Sequence, residues 1–427
     1  MARIYFQTHG CSTNLSESEV MTGLLKRAGF SIAGNAREAD ILVINICTVK
    51  GEATALREIR KLDESFPGKR LIIAGCITQN ILEDAREIRE DASFISTHNI
   101  RSIVEVVEEV INDNIIAAVG RDEYVKINLP KVRKNDVIGI VPILSGCLNS
   151  CSYCSVRNVK GRLLSYDIED VRSEVMRCLR DGCREIWVTS QDNSAYMLDK
   201  GGESSLPELI GRITAINRRF FVRIGMMNPL HLKDILEPMI EAYKSDRVFK
   251  FLHVPVQSGN DSILRLMRRG YSADDFRMII REFRKNIPNI TISTDIICGF
   301  PTETEQQFND SLNLIREIKP DVLNISRFQA RPGTEAAVME AQVDGGIIKN
   351  RSRLLTSIYE NISRMGNERW LNWHGEVLID EKGKEGTWIG RNLAYKPVIV
   401  KGNLKLGDFV DVRVDNITSH DLRGEII

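Results

Sequence analysis

The run Gly146-Cys147-Leu148-Asn149-Ser150-Cys151-Ser152-Tyr153-Cys154 spaces three thiols as C-x3-C-x2-C within one short loop. Thiolates are the usual ligands of 4Fe–4S clusters, which ordinarily take four. No fourth cysteine is close by in the sequence, so one iron of such a cluster would stay open to an exogenous ligand. An open corner of that kind can bind the amino and carboxylate groups of S-adenosylmethionine. Structural zinc is the competing use of grouped cysteines. It asks for four protein ligands, typically in C-x2-C pairs, and this loop offers three at another spacing.

A second set of thiols is scattered. Cys11, Cys47 and Cys76 each fall at or just beyond the carboxyl end of a short β-rich run, namely Arg3–Thr8 (RIYFQT), Ile41–Ile46 (ILVINI) and Arg70–Gly75 (RLIIAG). Ligand sites in open α/β sheets gather at that edge. Two uses fit the placement: a second cluster with one open iron, or three strand-end cysteines buried in the core, where cysteine is common. Cys178, within DVRSEVMRCLRDG, and Cys183 just after it read as core packing. Cys298 reads as a bystander at a strand end, and His253 as a hydrogen-bonded core histidine.

The elements that must carry these residues follow from periodicity. Between the three amino-terminal runs lie amphipathic stretches such as SESEVMTGLLKRAGF, and the alternation predicts an open parallel α/β sheet. A charged connector, RDEYVKINLPKVRKNDV, spans 121–137. The middle segment predicts six strands: Val141–Gly146, Glu185–Ser190, Phe221–Met226, Lys250–Val256, Thr291–Ile297 and Val322–Phe328. Each of the first five is followed by a helix-like run, which fits a partial (β/α)6 barrel with its chemistry at the carboxyl ends of the strands. A helical stretch, Gly345–Trp370, precedes short strands separated by Gly, Asn and Asp turns, the pattern of a small β-barrel. The expected domains are 1–118, 133–363 and 366–427.

Bulk properties limit the partners. The 427 residues are 43% hydrophobic and 27% charged, as expected of a globular chain. Lysine plus arginine balance aspartate plus glutamate at 58 each, so no basic surplus advertises nucleic acid. No apolar run approaches the roughly 18 residues of a membrane span. The first residues, MARIYFQTHG, lack a signal-peptide pattern. The expectation is a cytoplasmic protein without a membrane partner. Nine cysteines in a reducing compartment then point to metal or redox chemistry rather than disulfides.

The C-x3-C-x2-C loop on a six-unit barrel resembles the radical S-adenosylmethionine superfamily. With the scattered triplet and the terminal β module, the chain resembles its methylthiotransferase family. Supporting stretches are Thr8-His9-Gly10-Cys11 with Asn14, Asn45 with Cys47-Thr48-Val49, Gly161-Arg162 with Ser165, and His253-Val254-Pro255-Val256-Gln257-Ser258-Gly259. Asp295, Gly299-Phe300-Pro301-Thr302-Glu303-Thr304 and Arg331-Pro332-Gly333-Thr334 complete them. The loop GCLNSCSYCSVRNVKGRLLSY and the run WVTSQDNSAY are similar to the archaeal and eukaryotic branch, which converts N6-threonylcarbamoyladenosine beside the tRNA anticodon to its 2-methylthio derivative. Thr189-Ser190-Gln191-Asp192 departs from the LLGQNV-like bacterial pattern, against isopentenyladenosine or a ribosomal-protein side chain as substrate.

The resemblance implies two 4Fe–4S clusters, S-adenosylmethionine, a low-potential electron donor and a sulfur donor. Cys147, Cys151 and Cys154 would hold the cluster that cleaves the cofactor; Cys11, Cys47 and Cys76 would hold the one that carries sulfur. Ser190, Gln191, Gln257, Ser258 and Asp295 would contact cofactor or adenine. The terminal module resembles a TRAM domain, whose implied role is holding tRNA. Lys382, Lys384, Arg391, Lys396, Lys401 and Lys405 are then candidates for phosphate contacts, and Trp388 or Tyr395 for base stacking. Acidic residues interleave with these lysines, and a solvated rim is the plainer use of them.

Overall fold

Ile41–Ile46 is buried at every position, as a strand covered by helices on both faces must be. The computed structural model describes residues 2–48, 51–122 and 124–427; Val49 and the connector's Glu123 lie outside them. The strand belongs to a parallel sheet of order β2-β1-β3-β4-β5-β6. Its members are β1 (Arg3–Thr8), β2 (Ser31–Ile32), β3 (Ile41–Ile46), β4 (Arg70–Gly75), β5 (Ser93–Ser96) and β6 (Ala117–Ala118). The three expected strands keep their expected bounds. The three additional ones are two to four residues long, too short to show a period. Ile44, Ile46 and Ile73 pack one face against Ile59, Leu62 and Ile81 of the helices Glu52–Ser65 and Gln79–Ile88. Ile4, Val43 and Ile72 pack the other against Val20, Leu24 and Val106 of Ser12–Arg27 and Ile103–Ile111.

The middle segment contains β7 (Ile138–Pro142), the short β8 (Leu144–Ser145) and β9 (Leu164–Ser165), then β10 (Glu185–Thr189), β11 (Phe221–Ile224), β12 (Phe251–His253), β13 (Thr291–Cys298) and β14 (Val322–Arg327). Two parallel three-stranded sheets, β11-β10-β7 and β12-β13-β14, are joined by the bridge Val222↔Val248. The six strands thus follow one another in chain order, and among the described residues none pairs β14 back to β7. This is the partial barrel. Alternate residues Ile186, Val188, Val222, Ile224, Leu252, Ile292 and Ile296 join the core under the outer helices. Their neighbours Trp187, Arg223, His253 and Asp295 lie on the opposite, lumen face, each partly accessible.

Two strands depart from expectation. The first begins at Ile138 and ends at Pro142, and Leu144–Ser145 forms a separate antiparallel pairing with β9. The fourth is only Phe251–His253, because Pro255 brings no N–H to extend the ladder.

At the carboxyl end, β15 (His374–Lys382), β16 (Thr387–Arg391), β17 (Pro397–Lys401), β18 (Phe409–Ile417) and β19 (Leu422–Ile426) close a barrel of order β15-β16-β17-β19-β18. Its β16–β17 connection forms the floor of the large barrel. Leu393 O accepts from Lys250 N at 2.7 Å, Ala394 O from Thr291 Oγ1 at 2.7 Å, and Tyr395 OH donates to Glu185 at 2.8 Å. Among the described residues no helix is long and apolar enough to cross a membrane.

Candidate active site

The cysteine loop sits directly above β7, pinched at its base by the β8/β9 pairing Leu144↔Ser165. Gly146 has φ +71°, and a Cβ there would meet Arg162 O at 1.8 Å, so only glycine lets the chain turn into Cys147. The backbone of Ser152 is held on both sides, donating to Met267 O at 3.2 Å and accepting from Ala336 N at 2.9 Å. Arg269, 7% exposed, donates from Nη1 to Cys151 Sγ at 3.1 Å and to Tyr153 OH at 3.4 Å, while Nε reaches Tyr271 OH at 2.9 Å. Asn149 Nδ2 approaches Cys147 Sγ at 3.9 Å and donates to Asp192 at 3.0 Å. Burial pushes the Cys147 thiol up to about 12, helped by the negative charge of Asp192, and burial also raises Cys154. A cationic centre would reverse both effects.

The second triplet is assembled by the amino-terminal sheet. Cys76 follows Gly75, whose φ is +105° and whose Cβ would meet Asn45 Oδ1 at 2.2 Å and Ile46 O at 2.4 Å. Two fully buried asparagines fix the geometry. Asn14 Nδ2 donates to Asn45 Oδ1 and Ile46 O, both at 3.0 Å, and approaches Cys76 Sγ at 3.9 Å. Asn45 Nδ2 returns a bond of 2.9 Å to Asn14 O. Cys11 donates to Asn14 Oδ1 at 3.2 Å. The Cys47 thiol lies between the other two and hydrogen-bonds both. Accordingly its own acidity falls, while Cys11 is lowered to about 5 and Cys76 is also lowered, each by the Cys47 hydrogen bond against the cost of burial and with help from the Lys160 charge. The sheet therefore brings Cys11, Cys47 and Cys76 together.

The two triplets belong to one region. The carboxyl edge of the sheet packs on the mouth of the barrel: Ser12 Oγ and Thr189 Oγ1 are 2.6 Å apart, His98 Nε2 lies 2.8 Å from Val159 O, and Val159 packs against Cys47 and Cys76. Behind this seam Glu17 is ion-paired to Lys126 at 3.3 Å and Lys160 at 3.2 Å, and also accepts from Thr97. Neither Glu17, Lys126 nor Lys160 stands out in the sequence, although Lys160 directly precedes the Gly161-Arg162 stretch. Arg269 likewise carries no pattern.

The other sequence-chosen residues divide. Gln191 reaches across to Thr13 Oγ1 at 3.5 Å and keeps a buried Oε1 without a partner. Ser190 Oγ donates to Asn193 at 3.1 Å. Gln257 holds φ +73° beside the mouth. Asp295 Oδ1 lies 2.9 Å from His253 Nε2 and accepts from Asn324 Nδ2 at 2.7 Å, in the lumen. Ser258 corrects its expectation: fully buried, its hydroxyl accepts from Asn260 N at 3.2 Å and lies 3.4 Å from Ser311 Oγ, closing the loop. Cys178, Cys183 and Cys298 are all fully buried.

In the terminal module Lys382, Lys384, Lys401 and Lys405 are exposed. Lys396 and Arg391 correct theirs. Lys396 is buried, 2.9 Å from Asp321 Oδ1, and Arg391 Nε bonds Asp380 at 3.0 Å. Tyr395 packs at 4.8 Å from the Phe249 ring and 5.2 Å from Phe251, under the barrel rather than toward a base. Trp388 is half-buried, its indole N–H bonded to Gly402 O at 3.2 Å.

Among the described residues no group of three His, Cys, Asp or Glu side chains is set to hold a single metal ion. A cubane takes its thiolates on separate irons, so the three thiols need not converge on one point. The soft donors, the glycine turns that present them and the cations that face them fit a cluster.

Three thiols in one loop above the first strand of an open six-stranded β/α barrel define a radical S-adenosylmethionine enzyme. The chain matches the Radical SAM superfamily over residues 141–315, Uncharacterized protein family UPF0004 over 3–96 and the TRAM domain over 375–427. It is 39% identical to the "Probable threonylcarbamoyladenosine tRNA methylthiotransferase" of Pyrococcus abyssi, covering 100% of both chains, and 38% identical to that of Methanothermobacter thermautotrophicus, covering 97% of both. A human protein named threonylcarbamoyladenosine tRNA methylthiotransferase is 35% identical over 99% of this chain and 74% of its own. The chain belongs to this family of tRNA methylthiotransferases. Among solved structures, the radical S-adenosylmethionine methyltransferase TsrM from Kitasatospora setae shares the fold at 12% identity, with a TM-score of 0.57 over 79% of this chain and 75% of its own. Membership of the superfamily implies S-adenosylmethionine and one 4Fe–4S cluster.

Proposed function

We propose that this chain converts N6-threonylcarbamoyladenosine next to the tRNA anticodon to its 2-methylthio derivative, using two 4Fe–4S clusters. The observation that carries the reading is the meeting of two three-cysteine sets, one from each domain, at a single seam. When bound, the barrel cluster would supply the electron that cleaves one S-adenosylmethionine to a radical able to take hydrogen from the unactivated adenine C2, while the auxiliary cluster would supply the sulfur and a second S-adenosylmethionine its methyl group. Cys147, Cys151 and Cys154 hold the first, and Cys11, Cys47 and Cys76 the second. With three protein ligands apiece, each cluster would keep one iron for an exogenous ligand, the cofactor at the first and sulfur at the second.

The protein's own groups orient the reactants. Arg269 donates to Cys151 and fixes that side of the loop. Gln191, with an unpartnered buried oxygen between the two domains, and Ser190 and Gln257 at neighbouring strand ends serve the cofactor. Asp295, held by His253 and Asn324 in the lumen, faces cofactor or base. Lys382, Lys384, Lys401 and Lys405 contact phosphates, and the anticodon loop presents its adenine already unpaired. A low-potential electron donor and a sulfur donor are the required partners, and the cytoplasm the expected compartment. The names of the full-length relatives support the substrate.

Nucleoside analysis of tRNA from a deletion strain tests the substrate. Loss of the 2-methylthio-threonylcarbamoyl nucleoside, with accumulation of its precursor, is expected. Unchanged tRNA would overturn the reading and return a ribosomal-protein side chain to contention.

A further inference from the structure

Lys160 ends the helix Val156–Lys160, which follows Cys154 in the barrel's cluster loop, yet its charge lies among residues of the other domain. Its ammonium is 3.2 Å from Glu17 Oε1 and 3.3 Å from Thr97 Oγ1, and only 5% of the residue is exposed. The adjacent Val159 packs on Cys47 and Cys76. Glu17 is shared with Lys126, itself 8% exposed. Two buried lysines against one carboxylate leave an excess positive charge in a place where water cannot screen it. Burial alone would discharge Lys160, but anionic Cys76, Glu17 and Cys11 more than offset that and hold it protonated. Lys160 is paired to Glu17 while its neighbour Val159 touches Cys47 and Cys76, so the second triplet is the thiol set beside this charge.

We propose that Lys160 is a positioning residue whose buried ammonium sets the reduction potential of the auxiliary cluster and favours anionic sulfur at its open iron. The inference rests on the reading that Cys11, Cys47 and Cys76 hold that cluster. Each added electron makes a thiolate-bound cluster more anionic, so a fixed cation beside it stabilises the reduced form and raises the potential. Hydrosulfide on the open iron gains from the same field. Because Lys160 belongs to the barrel's cluster loop, correct seating of that loop is also what delivers the charge to the other domain.

The test is a dithionite titration followed by electron paramagnetic resonance on the full chain carrying both clusters. The auxiliary signal is assigned by its persistence in Cys147→Ala. Lys160→Met, which leaves the neutral Lys126–Glu17 pair, is expected to shift the auxiliary midpoint to more negative potential. Lys160→Arg should restore most of the shift, and the barrel signal should stay in place. Lys126→Met removes the same net charge from the far side of Glu17 and should shift the midpoint in the same direction by less. An auxiliary midpoint unmoved in Lys160→Met, or moved equally by Lys160→Arg, would overturn the proposal. Should Lys160→Met fail to load iron, Lys126→Met decides: no negative shift there overturns it as well. If Cys11→Ala, Cys47→Ala and Cys76→Ala together lose no iron, it is the underlying cluster reading that fails.

Discussion

The two cysteine triplets bring three thiols together by opposite routes. The barrel set is local: Cys147, Cys151 and Cys154 share one loop, turned by Gly146 and pinched by β8 and β9. The auxiliary set is assembled: each of its thiols follows a different strand, and paired asparagines Asn14 and Asn45 lock those strand ends in register. Their electrostatics differ as well. Burial raises Cys147 and Cys154, whereas a shared thiol hydrogen bond and the Lys160 charge lower Cys11 and Cys76. A site written as spacing depends on one loop. A site written as strand ends depends on the integrity of a whole sheet and on what the neighbouring domain presses against it.

The largest expected contrast is functional. Cys147→Ala should abolish 5′-deoxyadenosine formation, while Cys47→Ala should retain cofactor cleavage and yield no methylthio product. Chromatographic assay of both products checks this. Equal loss of cleavage in both variants, with the barrel cluster intact, would erase the distinction.

The cluster-free chain offers the next contrast. Cys11, exposed and lowered to about 5, is thiolate throughout pH 6–8. Cys147, pushed up to about 12, stays protonated there. Iodoacetamide labelling read by peptide mass spectrometry should modify Cys11 faster by orders of magnitude, with a rate nearly flat above pH 6, since the thiolate is the nucleophile. A Cys11 rate that climbs steadily through pH 8 would contradict the lowered value.

A smaller effect separates the hydrogen-bonding partners. Arg269→Gln removes the donor to Cys151 and should weaken barrel-cluster retention about 10–100-fold, leaving the auxiliary cluster alone. Asn14→Ala should do the converse. Iron retention during chelator challenge, resolved by the spectra of each cluster, reads both.

How much of this was legible before the fold was known follows the same division. The C-x3-C-x2-C spacing needs no fold, and β1, β3 and β4 emerge from their apolar runs with their bounds intact. The scattered triplet leaves two uses open in sequence, because its three strand ends meet only in the folded sheet. What escaped was whatever depends on contact across domains. Lys396 looks like part of a solvated basic rim in sequence and Tyr395 like a stacking platform, yet both meet the large barrel, at Asp321 and Phe249, while Arg391 is taken up by Asp380 inside its own module. Ser258 sits in a polar turn that suggests a ligand, but its hydroxyl is used by Asn260 and Ser311. Thr304, the last residue of the Gly299–Thr304 stretch, forms a capping box with Gln307 on the helix Glu305–Ile318, so that end of a stretch carrying the family resemblance is helix architecture. Lys160 was invisible for the same reason: its partner Glu17 is on another domain, and no local period connects them.

The central claim is that one chain holds two clusters, each on its own three thiols. Iron and acid-labile sulfide counted on anaerobically reconstituted protein test it most directly. The wild-type chain should carry about eight irons, and about four should remain when either Cys11, Cys47 and Cys76 or Cys147, Cys151 and Cys154 are replaced by alanine. About four irons in the wild type, unchanged by loss of the amino-terminal triplet, would contradict it.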